Sequence, residues 1–104
     1  MNRYAVGVMI TGGGASAHPD TPVDRRRNFQ KKVFSFGPAW MVNSDMIVVS
    51  SKMGLSEIIR ELEVVLDQMD FLFVSEIPQG AKAGCAGWLV DSEGLSALFP
   101  DLDL

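Results

Sequence analysis

Polar and apolar positions along the chain alternate with two periods, and the switches between them mark out the elements. Residues 3–11 (RYAVGVMIT) place Tyr4, Val6, Val8 and Ile10 on one face and Ala5, Gly7 and Met9 on the other. Both faces are apolar or small, which predicts an inner β-strand packed on each side. Residues 22–36 change period. Phe29, Val33 and Phe36 fall at i, i+4 and i+7, the buried stripe of a helix. Thr21 is placed to cap that helix, Pro22 suits its first position, and Asp24 stands where a capping-box acid would. Gly37 fits the end of the helix and Pro38 prevents its continuation.

Residues 39–42 (AWMV) and 46–50 (MIVVS) read as two strands joined by the turn residues Asn43-Ser44-Asp45. A single bent strand is the alternative. The clearest periodicity follows. Leu55, Ile58, Ile59, Leu62, Val65, Leu66 and Met69 recur at helical spacing, with Glu57, Arg60, Glu61, Glu63, Asp67 and Gln68 opposite. This predicts an amphipathic helix over 55–68, with Gly54 and Ser56 at its start. Residues 71–77 (FLFVSEI) then form a strand with Phe71, Phe73 and Ser75 on one face. Beyond it, 86–90 (AGWLV) adds an edge strand or covers the core through Trp88, and 92–99 holds a short helix.

The order is β-α-β-β-α-β. Its simplest arrangement is an α+β fold, a ferredoxin-like βαββαβ sandwich: a four-stranded antiparallel sheet with both helices on one face. The whole of 1–104 reads as a single domain, with a flexible glycine-rich loop over 12–20 and a C-terminal extension over 86–104. One sheet face is left open, and a second copy of the chain is expected to cover it.

Composition agrees with this picture. The chain has 104 residues, of which 47% are hydrophobic and 21% charged, the proportions of an ordinary globular domain. No apolar run reaches the ~18 residues of a membrane span. The opening Met1-Asn2-Arg3-Tyr4 runs straight into a strand without a signal-peptide pattern, and Cys85 is the one cysteine. A cytoplasmic, reducing setting is therefore expected. Charge changes the picture more. Residues 1–52 carry seven basic groups against three acidic, net +4, and residues 53–104 carry two against ten, net −8. Such asymmetry steers a polyanion to one face or aligns two copies of the chain.

The basic excess is concentrated in Arg25, Arg26, Arg27, Lys31 and Lys32 on the first helix. Three arginines near a helix N-terminus oppose the macrodipole, a local conflict that points to a use for the charge. By angular position, Arg27 and Lys31 lie opposite the Phe29 stripe, and Arg25 and Lys32 flank it. The plain reading is a solvated face; the functional one is a patch for phosphates or an acidic partner.

Other candidates are weaker. His18, Asp20 and Asp24 are too few and too loosely held to define a metal site, and an exposed loop histidine is the default. Gly12-Gly13-Gly14 lacks the Gly-Lys-Ser/Thr ending of a phosphate loop. Cys85 has no histidine nearby in sequence and reads as a small buried thiol. Trp40 and Trp88 read as core or interface residues. No catalytic residue, metal ligand or cofactor is assigned.

The segments FQKKVFSFG, the following Trp40, MIVVSS, EIIRELEVVLDQMD, FLFVSEI and AGWL, which together span most of 24–99, resemble small Cas2-like ferredoxin-fold proteins. These include CRISPR-associated dimeric nucleases and virulence-associated toxin relatives. The resemblance rests mainly on core and cap residues and implies the fold and a homodimer. In the family's nucleases, an aspartate after the first strand holds a divalent metal with its twin. Here the strand runs Val8-Met9-Ile10-Thr11-Gly12 with no carboxylate. Two functions follow as expectations. The first is a non-catalytic homodimeric interaction or regulatory module that contacts an acidic partner or nucleic-acid backbone through the basic helix. The alternative is a metal-dependent endonuclease acting on RNA or DNA, with Asp20 or Asp24 as ligand.

Overall fold

The structure is a computed structural model that describes residues 1–12, 18–80 and 98. Its elements, in chain order, are β1 (Asn2–Met9), α1 (Pro22–Phe34), β2 (Ala39–Asn43), β3 (Met46–Ser51), α2 (Leu55–Glu63) and β4 (Phe71–Ile77). The loop glycines Gly13 and Gly14, the strand expected at 86–90, the helix expected at 92–99 apart from Leu98, Cys85 and Trp88 lie outside the described residues.

The strands form one antiparallel sheet in the order β2-β3-β1-β4. β1 pairs with β3 on one side (Tyr4 opposite Val49) and with β4 on the other (Val6 opposite Val74). It is therefore an inner strand, as its two apolar faces require. β2 and β3 are separate strands, paired antiparallel, which resolves the bent-strand alternative. Their turn is closed by Asn43, whose Oδ1 accepts from the Asp45 N–H at 2.8 Å. This is the ferredoxin-like α+β arrangement.

The core lies between the sheet and the helices. Tyr4, Val6, Ile47 and Val49 from the sheet meet Phe29 and Val33 of α1 and Ile58 and Leu62 of α2. Since residues on one strand face alternate, both helices cover the same side of the sheet. The Tyr4 hydroxyl, carried into this core, donates to the Met53 carbonyl at 2.7 Å, so its polar end is satisfied.

Local signals explain the helix ends. Thr21 Oγ1 accepts from the Asp24 N–H at 3.1 Å and caps α1, with Pro22 in the first turn. α2 is shorter than its periodicity predicts. It stops at Glu63, and the next residues make tighter bonds: Val65 N–H to the Leu62 carbonyl at 3.1 Å and Leu66 N–H to the Glu63 carbonyl at 3.2 Å. The apolar spacing persists through this turn, so Leu66 still reaches the core although the helix has ended.

Candidate functional site

The five basic residues of α1 do not form one surface patch. Arg25 is turned inward, with 1% of its side chain exposed. Its Nε and Nη2 donate to Asp70, its Nη1 donates to the Asp20 carbonyl at 2.8 Å, and its Nη2 also reaches the Thr11 carbonyl at 2.9 Å. Arg26 pairs with Asp45 on the β2–β3 turn at 2.7 Å. Arg27 pairs with Asp24 one turn back at 3.5 Å, and Lys32 reaches Glu61 of α2 at 3.1 Å. Arg27 and Lys31 remain on the outer face, in line with the exposed Val23 and Phe34. The basic cluster is thus a fastening as much as a surface: Arg25 ties α1 to the β1 exit, Arg26 to a hairpin turn and Lys32 to the neighbouring helix.

Asp70 is the centre of that fastening. It lies just ahead of β4, where the chain leaves the α2 turn, and its side chain is fully buried. It accepts from Thr11 N–H at 3.0 Å, Thr11 Oγ1 at 3.2 Å, Arg25 Nε at 3.0 Å, Arg25 Nη2 at 3.4 Å and Asp67 N–H at 2.8 Å. Burial pushes its carboxyl up, but the hydrogen bonds from Arg25, Asp67 and Thr11, with the Arg25 charge, outweigh that and hold it below the usual carboxylate value.

A carboxylate therefore does stand at the end of β1, supplied from position 70 rather than by the strand itself. Five donors already occupy its two oxygens, so a metal ion there would have to displace Arg25. Local sequence patterns do not reveal Asp70, because its partners Arg25 and Thr11 are 45 and 59 residues away. The opposing arginines near the α1 N-terminus are the one available signal.

His18 also differs from expectation. It is not an exposed loop side chain: 16% of it is accessible. Its backbone N–H donates to Asp67 Oδ1 at 3.2 Å, its Nδ1 accepts from Asp20 N–H at 3.1 Å, and its Nε2 faces the Val64 carbonyl at 3.5 Å. That pattern places the ring proton on Nε2. Asp20 accepts from Asn28 Nδ2 at 3.3 Å, and Asp24 faces Arg27. Among the described residues, no three histidine, cysteine or acidic side chains are arranged to hold a metal ion. A groove of about 480 Å³ lies between α2 and β4, but its Asp67 and Asp70 are committed to these bonds.

The other side of the sheet carries a different kind of site. Met9, Met46, Phe71 and Phe73 all face away from the helices and are exposed, Met9 by 67%, Phe71 by 62% and Phe73 by 55%. The strand register brings them together: Met9 is opposite Phe71, and Gly7 lies between Met46 and Phe73. Charged side chains are absent from these positions. At the other end of β1, Arg3 donates to the Pro78 carbonyl at 3.3 Å and approaches the carbonyl of the buried Leu98 at 3.5 Å.

The geometry defines an α+β domain of ferredoxin-like topology with an apolar sheet face. No protein-family model and no curated protein matches the chain. Among the described residues, no helix is long and apolar enough to cross a membrane.

Proposed function

We propose that the chain is a homodimeric interaction module that pairs through the face of its sheet opposite α1 and α2. The carrying observation is the cluster of Met9, Met46, Phe71 and Phe73, large apolar side chains left in water on neighbouring strands. Contiguous exposed apolar surface of this kind marks interaction sites. Dimer formation leaves the outer face of α1 accessible. There Arg27 and Lys31 contact an acidic partner or a nucleic-acid backbone as diffuse positive charge.

The test is the solution mass. Light scattering on the purified chain is expected to give twice the 11.3 kDa of one copy, and a Phe71→Ser/Phe73→Ser variant is expected to give the single-copy mass. A wild-type chain that stays at one copy at high concentration refutes the proposal.

A further inference from the structure

Gly7 sits in the middle of the inner strand β1, where a glycine weakens a strand through its backbone entropy and its missing side chain. Among the described residues, nothing requires it. Among the described glycines, only Gly37 and Gly80 have positive φ. A Cβ built on Gly7 would meet, among the described residues, only the Asp45 carbonyl oxygen, at 4.0 Å, an ordinary contact. An alanine side chain would therefore clear the described residues. Glycine inside a strand often marks a bulge, a bend or a close approach to the backbone, and the register runs through Gly7 without a bulge.

The surroundings show what. Gly7 pairs with Met46 on one side and Phe73 on the other, and Met9 follows on the same face. The missing side chain leaves a pit walled by exposed apolar groups. We infer that Gly7 is a seat for an aromatic ring from a second copy of this chain, filled by Phe73 of the partner subunit. This rests on the dimer proposed above and specifies its contact.

Three observations favour a second copy as the occupant. The face carries both a pit (Gly7) and a projecting ring (Phe73) side by side. A two-fold interface requires such self-complementarity, since each patch meets its own duplicate. The face is also uncharged over Ala5, Gly7, Met9, Met46, Phe71, Phe73 and Ser75, so two identical surfaces meet without like-charge repulsion. The area is appropriate as well. A standard interface buries roughly 800 Å² per partner, a little over half of it apolar. At 67%, 39%, 62% and 55% exposure, Met9, Met46, Phe71 and Phe73 supply about 450 Å², taking about 200 Å² for a fully exposed side chain.

The experiment measures the dimer dissociation constant by sedimentation for the wild type, Gly7→Ala, Gly7→Leu, Phe73→Ala and the double variant Gly7→Leu/Phe73→Ala. Gly7→Leu is expected to weaken the dimer about 10–100-fold by filling the pit, while urea unfolding of the dissociated chain at low concentration is unchanged or raised. Gly7→Ala is expected to weaken it less. The double variant is expected to bind more tightly than Gly7→Leu alone, because the smaller residue makes room for the larger. If Phe73→Ala weakens the dimer but Gly7→Leu does not, the face is the interface and the seat is wrong. If Phe73→Ala and Gly7→Leu both leave the dimer unchanged, or the wild type is a monomer, the seat and the face proposed for the dimer fall together. Should Gly7→Leu fail to fold, Gly7→Ala alone decides: unaltered affinity overturns the seat.

Discussion

Arg25 Nε lies 3.0 Å from Asp70 Oδ2, joining α1 to the start of β4 across 45 residues of sequence, with 1% and 0% of the two side chains exposed. The same carboxylate holds Thr11 beyond β1 and Asp67 in the α2–β4 turn. A single side chain thus gathers three separate stretches of chain at one end of the sheet. Removing one member of a buried pair strands the other charge in a poorly solvated site, which costs about 3–5 kcal/mol. Asp70→Asn and Arg25→Met should each lower the urea-unfolding free energy by about that amount. Arg25→Met has the further cost of leaving the Asp20 and Thr11 carbonyls without their donor. A loss under about 1 kcal/mol in Asp70→Asn would show that the pair is not what fastens these segments.

The same carboxylate makes stability depend on pH in a defined direction. Its folded-state pKa lies below 3.8, the ordinary value expected for the unfolded chain. In the interval between the two, the unfolded chain binds the proton more readily, so stability rises with pH there. The contribution is present in full well above 3.8 and is lost as pH falls through that value toward the folded pKa. Urea titrations at a series of pH values between about 6 and 2 should show the wild type losing more stability than Asp70→Asn over this range. Parallel curves would remove Asp70 as the source.

How far the sequence disclosed this arrangement differs from element to element. β4 occupies 71–77 as its alternation predicts, set off by the Asp67–Asp70 turn before it and Pro78 after it. The apolar spacing of α2 continues to Met69 although the helix ends at Glu63. A turn of i→i−3 bonds carries Leu66 inward much as another helical turn would, so side-chain periodicity does not register the change. The arginine run registers only as a conflict with the helix dipole. Its resolution, with Arg25 inward to Asp70 and Arg26 across to Asp45, depends on partners 45 and 19 residues distant, which no local pattern encodes. The exposure of Met9 and Phe73 is likewise hidden, since their strands have apolar residues on both faces and only the placement of the helices decides which face is covered.

With Arg25 withdrawn into the core, polyanion binding should depend on Arg27 and Lys31. An Arg27→Ala/Lys31→Ala variant is expected to bind a short DNA or RNA duplex more weakly than wild type. Its plot of log affinity against log salt should be shallower by about 0.9 for each phosphate that the variant no longer neutralises. Arg26→Ala should have the smaller effect on binding, since Asp45 holds Arg26 at 2.7 Å whereas Asp24 holds the more exposed Arg27 at 3.5 Å, and should change stability by no more than about 1 kcal/mol. Fluorescence anisotropy across a salt series gives the affinities and the slopes, and urea unfolding gives the stability. Equal affinity for the double variant and the wild type would remove α1 from any nucleic-acid interface.

Gly37, two residues beyond the α1 cap residue Ser35, is required by the fold in a way that Gly7 is not. Its φ of +154° is one that L side chains rarely adopt. A Cβ there would fall onto the Ser50 carbonyl oxygen and lie 3.2 Å from the Ser50 carbonyl carbon. Both obstacles are backbone, held by the bond from Ser50 N–H to the Pro38 carbonyl at 2.8 Å, so no flexible side chain can move aside. Accommodation would require α1 and its following turn to move away from β3, opening the packing that seats Val33 against the sheet. Gly37→Ala is therefore expected to cost about 2–4 kcal/mol, whereas Gly7→Ala should leave the unfolding free energy of the single chain unchanged or raise it by up to about 1 kcal/mol. Urea unfolding of both variants, at concentrations low enough to keep any dimer dissociated, makes the comparison directly. Similar effects from the two substitutions would contradict the close approach at Gly37.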